Sequence, residues 1–160
     1  MRRRQGSEKV RPLCFDGLEE ELAATVVDIH DRIVENQGFN PGYFGDQREE
    51  TIERVLSVVS AVFCTYFDVP PDQKYTDIYE QISVFAAHLS KDHIFADANK
   101  RTTVIFSIAF LRLSGITLDI EDLDKPDENI LYRWIQDVVT GEKGVVELAQ
   151  TLRAYARKIQ

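Results

Sequence analysis

Asp92-His93-Ile94-Phe95-Ala96-Asp97-Ala98-Asn99-Lys100-Arg101 places an imidazole, two carboxylates, an amide and two cations in ten consecutive residues. Before it, Ile78, Ile82, Phe85, Ala86 and Leu89 mark a helical stripe; after it, Val104 to Leu113 is apolar almost all round. The second segment reads as a central, buried helix closed by Gly115 at its C-cap. A polar run of this density between two buried helices is costly unless it does something.

Outward from that run the helical period continues. Leu22, Val26, Ile29, Ile33 and Val34 predict a helix over 18–36, and Ile52, Val55, Leu56, Val59, Val62 and Phe63 one over 47–66. A helix after Asp127 carries Ile130, Leu131, Trp134, Ile135 and Val138, and a last one carries Val145, Leu148, Ala149, Leu152 and Tyr155, with Gly141 and Gly144 in the turn between them. Strand signals are scarce apart from a short hairpin near 40–46. The expected class is all-α with a minor β element.

At 160 residues and 44% hydrophobic composition, one domain over 18–160 is expected. Residues 1–17 read as a flexible basic arm, with Arg2, Arg3, Arg4, Lys9 and Arg11 in it. The formal charge of -8 excludes nucleic acid as a partner of the main domain. Cys14 and Cys64 have no zinc or disulfide-framework spacing, and no apolar run reaches membrane-spanning length. A reducing, cytoplasmic setting fits, with no membrane partner.

The polar run supports a specific chemistry. Asn99 to Arg101 fall at the start of the buried helix, where free backbone N–H groups and the helix dipole attract an anion. Two cations there oppose the isolated helix by roughly 0.3 to 1 kcal/mol each, and a polyphosphate would reverse that sign. Arg101 would grip phosphate through its fork, Lys100 as a point charge and Asn99 as a neutral donor. Asp97 is placed to share Mg²⁺ with those phosphates, and His93 to take a hydroxyl proton near neutrality. Phe95 would anchor the loop in the core. None of the eight glycines forms a P-loop or dinucleotide fingerprint. The same residues also read as a capped helix start with a solvated charge run, and the local physics leaves both readings open. A transition-metal set of His88, His93 and Asp97 matches no standard zinc spacing. His30, on an apolar face, reads as a core-edge histidine.

His93-Ile-Phe-Ala-Asp-Ala-Asn-Lys-Arg101 closely resembles the HxFx(D/N)(A/G)NKR signature of the Doc (death-on-curing) branch of the Fic/Doc family, continued by Thr102-Thr103 and Phe110 to Gly115. Weaker likeness at His30-Asp31, Gly38 to Gly42 and Asp137 to Glu142 extends it over 20–155. The resemblance implies a helical bundle around a buried central helix and a β-hairpin flap near Asn40 to Gly45, with Tyr43 and Phe44 touching a target segment. It implies ATP as substrate, Mg²⁺ held by Asp97, His93 as general base, and Asn99, Lys100 and Arg101 as phosphate grips. Against the Fic pattern HxFxxGNGRxxR, Ala98 and Lys100 replace glycines and Val104 replaces the second arginine. Those departures favour γ-phosphoryl transfer to a protein hydroxyl over AMP transfer, with elongation factor Tu as the expected target. A non-catalytic Fic-fold binding module is the reading from another class. The branch also implies a toxin restrained by a small antitoxin in trans. Thr76-Asp-Ile-Tyr-Glu80-Gln81 approaches the self-inhibitory (S/T)xxxE(G/N) pattern but ends in Gln.

Overall fold

The computed structural model describes residues 9–36, 48–91, 99–121 and 128–159. Helix α1 spans Glu19–Asn36, α2 Arg48–Phe63, α3 Pro71–Lys74, α4 Ile78–Lys91, α5 Asn99–Leu113, α6 Ile130–Thr140 and α7 Val145–Tyr155; strands β1 (Ile116–Leu118) and β2 (Ala156–Lys158) complete the order. The fold is all-α, as the periodicity predicts, and each expected helix is present.

The core is built on the apolar stripes. Phe63, Phe85 and Phe110, from α2, α4 and α5, meet at centroid separations of 4.6 to 5.3 Å, and Phe15 closes on Phe63 edge-first at 5.6 Å. Val26, Val27, Val55, Val59, Ile82, Leu89, Leu111, Leu131, Ile135 and Leu152 surround them, each at most 1% exposed. Helix α5 is central, packing against α1, α4 and α6. Its burial is not complete: Ala109, Arg112 and Leu113 face solvent.

Helix boundaries follow local chemistry. Helix α2 stops at Phe63, short of the expected 66, because Tyr66 and Val69 pair through two 3.0 Å backbone hydrogen bonds around a tight turn. Asn129 caps α6, its side chain accepting from Leu131 N–H, and Gly141 ends it at φ 84, a left-handed conformation that glycine adopts without a Cβ clash. The β element lies at 116–118 and 156–158, an antiparallel pair with Thr117 opposite Arg157. The hairpin expected near 40–46 lies outside the described residues.

One expectation needs correcting. Residues 10–16 were assigned to a flexible arm, yet they form a strap docked on the core. Val10 C=O accepts from Ile78 N–H, and Phe15 N–H donates to Phe63 C=O at 2.7 Å. Gln81, fully buried, accepts from Leu13 N–H and donates to the carbonyls of Leu13 and Val62. Val10, Leu13 and Phe15 supply the apolar contacts that the charge of this segment obscures. Residues 1–8 lie outside the described residues. Among the described residues no helix is long and apolar enough to cross a membrane.

Candidate functional site

Asn99, Lys100 and Arg101 form the first turn of α5, all three half-buried. Helices α1, α2, α4 and α7 carry acidic residues in their first turns, as the helix dipole favours; α5 carries none there and has two cations instead. The inversion puts positive charge where the free N–H groups of a helix start already favour an anion. The Lys100 ammonium sits 5.2 Å from the Tyr132 ring centroid, which holds it at the bundle surface without neutralising it.

Two buried hydroxyls fix that turn. Thr103 donates to Asn99 C=O at 2.7 Å, and Ser90, in the last turn of α4, donates to Thr103 Oγ1 at 2.9 Å. Thr103 is fully buried and Ser90 nearly so. The Ser-Thr link therefore ties the two helix ends that flank 92–98. The sequence reading names Thr103 only as a continuation of the motif and does not name Ser90. The cue was present in the back-bonding Thr four residues after Asn99, but Ser90 is brought to it only by packing.

The helix directions place the site at one end of the bundle. Ser90 meets Thr103 and Phe85 meets Phe110, so α4 and α5 run antiparallel. Arg48 bridges Asp28 and Asp31, and Phe15 meets Phe63, so α1 and α2 also run antiparallel. Phe15 also packs on Phe110, which sets the start of α1 beside the end of α5. The C-terminal ends of α1 and α4 and the N-terminal ends of α2 and α5 thus share one end. The described helix ends on either side of 37–47 and of 92–98 therefore lie at that end. Tyr43, Phe44, His93, Phe95 and Asp97 belong to these segments and lie outside the described residues.

Other predicted residues are placed clearly. Val104 is 2% exposed within the core, so the position where Fic patterns carry an arginine is packing surface here. His30 is fully buried rather than at the core edge, its Nδ1 3.3 Å from Asp31 Oδ1, while Arg48 Nε holds the other Asp31 oxygen at 3.2 Å. His88 is exposed, and among the described residues no cluster of ligating side chains includes it. Asp77 caps α4 and clamps Arg153 at 2.6 Å, an interaction that holds the guanidinium above its ordinary pKa. A cavity of about 520 Å³ shares Tyr132 with the α5 site, but Asp119, Glu121 and Glu128 in its wall are wrong in sign for a polyphosphate.

The described residues fit a triphosphate: a helix start with two cations, an amide and no opposing carboxylate in its first turn. Asp97, the expected Mg²⁺ ligand, comes two positions earlier.

Residues 21–111 match the family described as Fic/DOC, a span running from α1 to near the end of α5. The chain belongs to the Fic/Doc family. Within it, the chain is 31% identical over 135 residues to the protein kinase Doc of Escherichia phage P1, an alignment covering 84% of this chain and 90% of that protein.

Proposed function

We propose that this protein is a Doc-type toxin that transfers the γ-phosphoryl group of Mg-ATP to a hydroxyl of a target protein in the cytoplasm. The observation that carries the reading is the charge-inverted first turn of α5, Asn99-Lys100-Arg101, inside a chain similar over most of its length to a protein kinase. On this reading Arg101 and Lys100 bind the phosphates, with the α5 N–H groups behind them. Asn99 is held by the Ser90–Thr103 link and supplies a neutral donor. His93 accepts the proton of the attacking hydroxyl, and Asp97 holds Mg²⁺, which neutralises developing charge on the transferred group. Strand addition by a flap containing Tyr43 and Phe44 would align the target segment.

The apolar packing of Val104 favours phosphoryl over AMP transfer, because no second arginine reaches the anion from that position. Elongation factor Tu is the target to test first. Its mass after incubation with this protein and Mg-ATP should rise by one phosphate. A rise matching AMP would reverse the chemistry, and γ- and α-labelled ATP supplied with a cell extract distinguish the two for any other target. No transfer of either label would favour a binding module. Inhibition is proposed to come from a small antitoxin in trans.

A further inference from the structure

Cys14 and Cys64 have no part in the phosphate site, and the fold brings them to one place at the other end of the bundle. The strap runs beside the end of α2, Phe15 bonded to Phe63, so that Cys14 and Asp16 become neighbours of Cys64 and Thr65. Ligand atoms of Asp16, Glu19 and Cys64 lie within 4.8 Å of one another.

Three features single this cluster out. Cys64 is only 3% exposed, and its Sγ lies within 4.8 Å of the Asp16 and Glu19 carboxylate oxygens, so a soft donor meets the group from the core side. The two carboxylates repel each other, and among the described residues neither lies within ion-pair distance of a lysine, arginine or histidine. Each is nevertheless oriented from outside: Asp16 accepts from the Thr65 N–H and hydroxyl at 2.6 Å each, and Glu19 from Gly17 N–H at 3.1 Å. Hydrogen bonds of that kind aim carboxylates at a metal.

We propose that Asp16, Glu19 and Cys64 bind a divalent cation of borderline softness, with Zn²⁺ as the preferred ion and solvent completing its shell. Mixed sulfur and oxygen donors select such an ion over Mg²⁺ or Ca²⁺. Tetrahedral bonds of about 2.3 Å to sulfur and about 2.0 to 2.2 Å to oxygen require only a small inward movement of the side chains. The Cys64 thiol releases its proton to solvent on binding, and no electron transfer is involved. The ion would pin the strap and the start of α1 to the end of α2. The site is independent of the phosphate reading.

The test is titration of the untagged, reduced, chelator-stripped chain with Co²⁺ as a spectroscopic probe. One ion should bind with the intense visible absorption of a tetrahedral site and a sulfur-to-cobalt charge-transfer band, both abolished by added Zn²⁺. Cys64→Ser should lose the charge-transfer band. Because Cys64 is a core position, Glu19→Gln on the surface serves as the second variant; it should keep its helical circular dichroism and weaken Co²⁺ by about tenfold or more. Absence of charge transfer in the unaltered chain overturns the proposal, as does unchanged affinity in Glu19→Gln.

Discussion

Arg101 shows how one side chain serves two ends, half-buried at the start of a core helix yet carrying the charge that the proposed phosphate needs. Arg101→Ala should weaken ATP binding by about ten- to a hundredfold, the worth of a charge-assisted hydrogen bond, as calorimetry would show. On the proposed reading, His93→Ala should cost about 10² to 10⁴ in transfer rate, the usual contribution of a general base, as single-turnover kinetics would show. Gln81 is the structural counterpart. Gln81→Leu strands the N–H and C=O of Leu13 and the carbonyl of Val62, and should cost about 2 to 4 kcal/mol in urea unfolding. Thr65 holds the Asp16 carboxyl below its ordinary pKa of 3.8. The stability this adds is complete above that value and fades as pH falls through the lowered one, so Asp16→Asn should flatten the acid limb of a pH-stability curve.

At the scale of elements, the first turn of α5 is held by its own Thr103 and, through it, tied to Ser90 of α4. Thr103→Val leaves the buried Ser90 hydroxyl without its acceptor and removes the side-chain bond to Asn99 C=O, so ATP affinity should fall alongside stability, with Thr103→Ser restoring both. Recovery of stability without affinity would show that the link only packs. The turn after α2 carries strain of its own. Phe67 and Asp68 adopt φ 48 and 64, where side chains are disfavoured, and Phe67 is 83% exposed. Replacing the pair by Asn-Gly should stabilise the protein by about 1 kcal/mol or more, read as a rise in melting temperature.

For the whole molecule, the antiparallel run of α4 and α5 separates the regulatory motif from the site. Glu80 stands about 16 Å along α4 from Lys91, at roughly 1.5 Å per residue, and so lies at the opposite end from Arg101. Thr76 to Gln81 is occupied structurally instead: Asp77 caps α4 and clamps Arg153, and Gln81 clips the strap. Glu80→Gln should therefore leave transfer activity unchanged, where a self-inhibited enzyme would be activated. The strap, the Asp77–Arg153 clamp and the β1–β2 pair all brace the end away from α5's first turn.

The sequence by itself determined the helices, their order and the cation-bearing start of α5, because apolar period and helix-end charge are local properties of consecutive residues. It also carried the family, through a motif that is contiguous. Only the tertiary structure decided that Val10, Leu13 and Phe15 dock on the core, that His30 is fully buried, that Ser90 is linked through Thr103 to Asn99, and that Asp16, Glu19 and Cys64 converge. Each of those depends on groups far apart in the chain and becomes visible only when antiparallel helices fix which residues share a level.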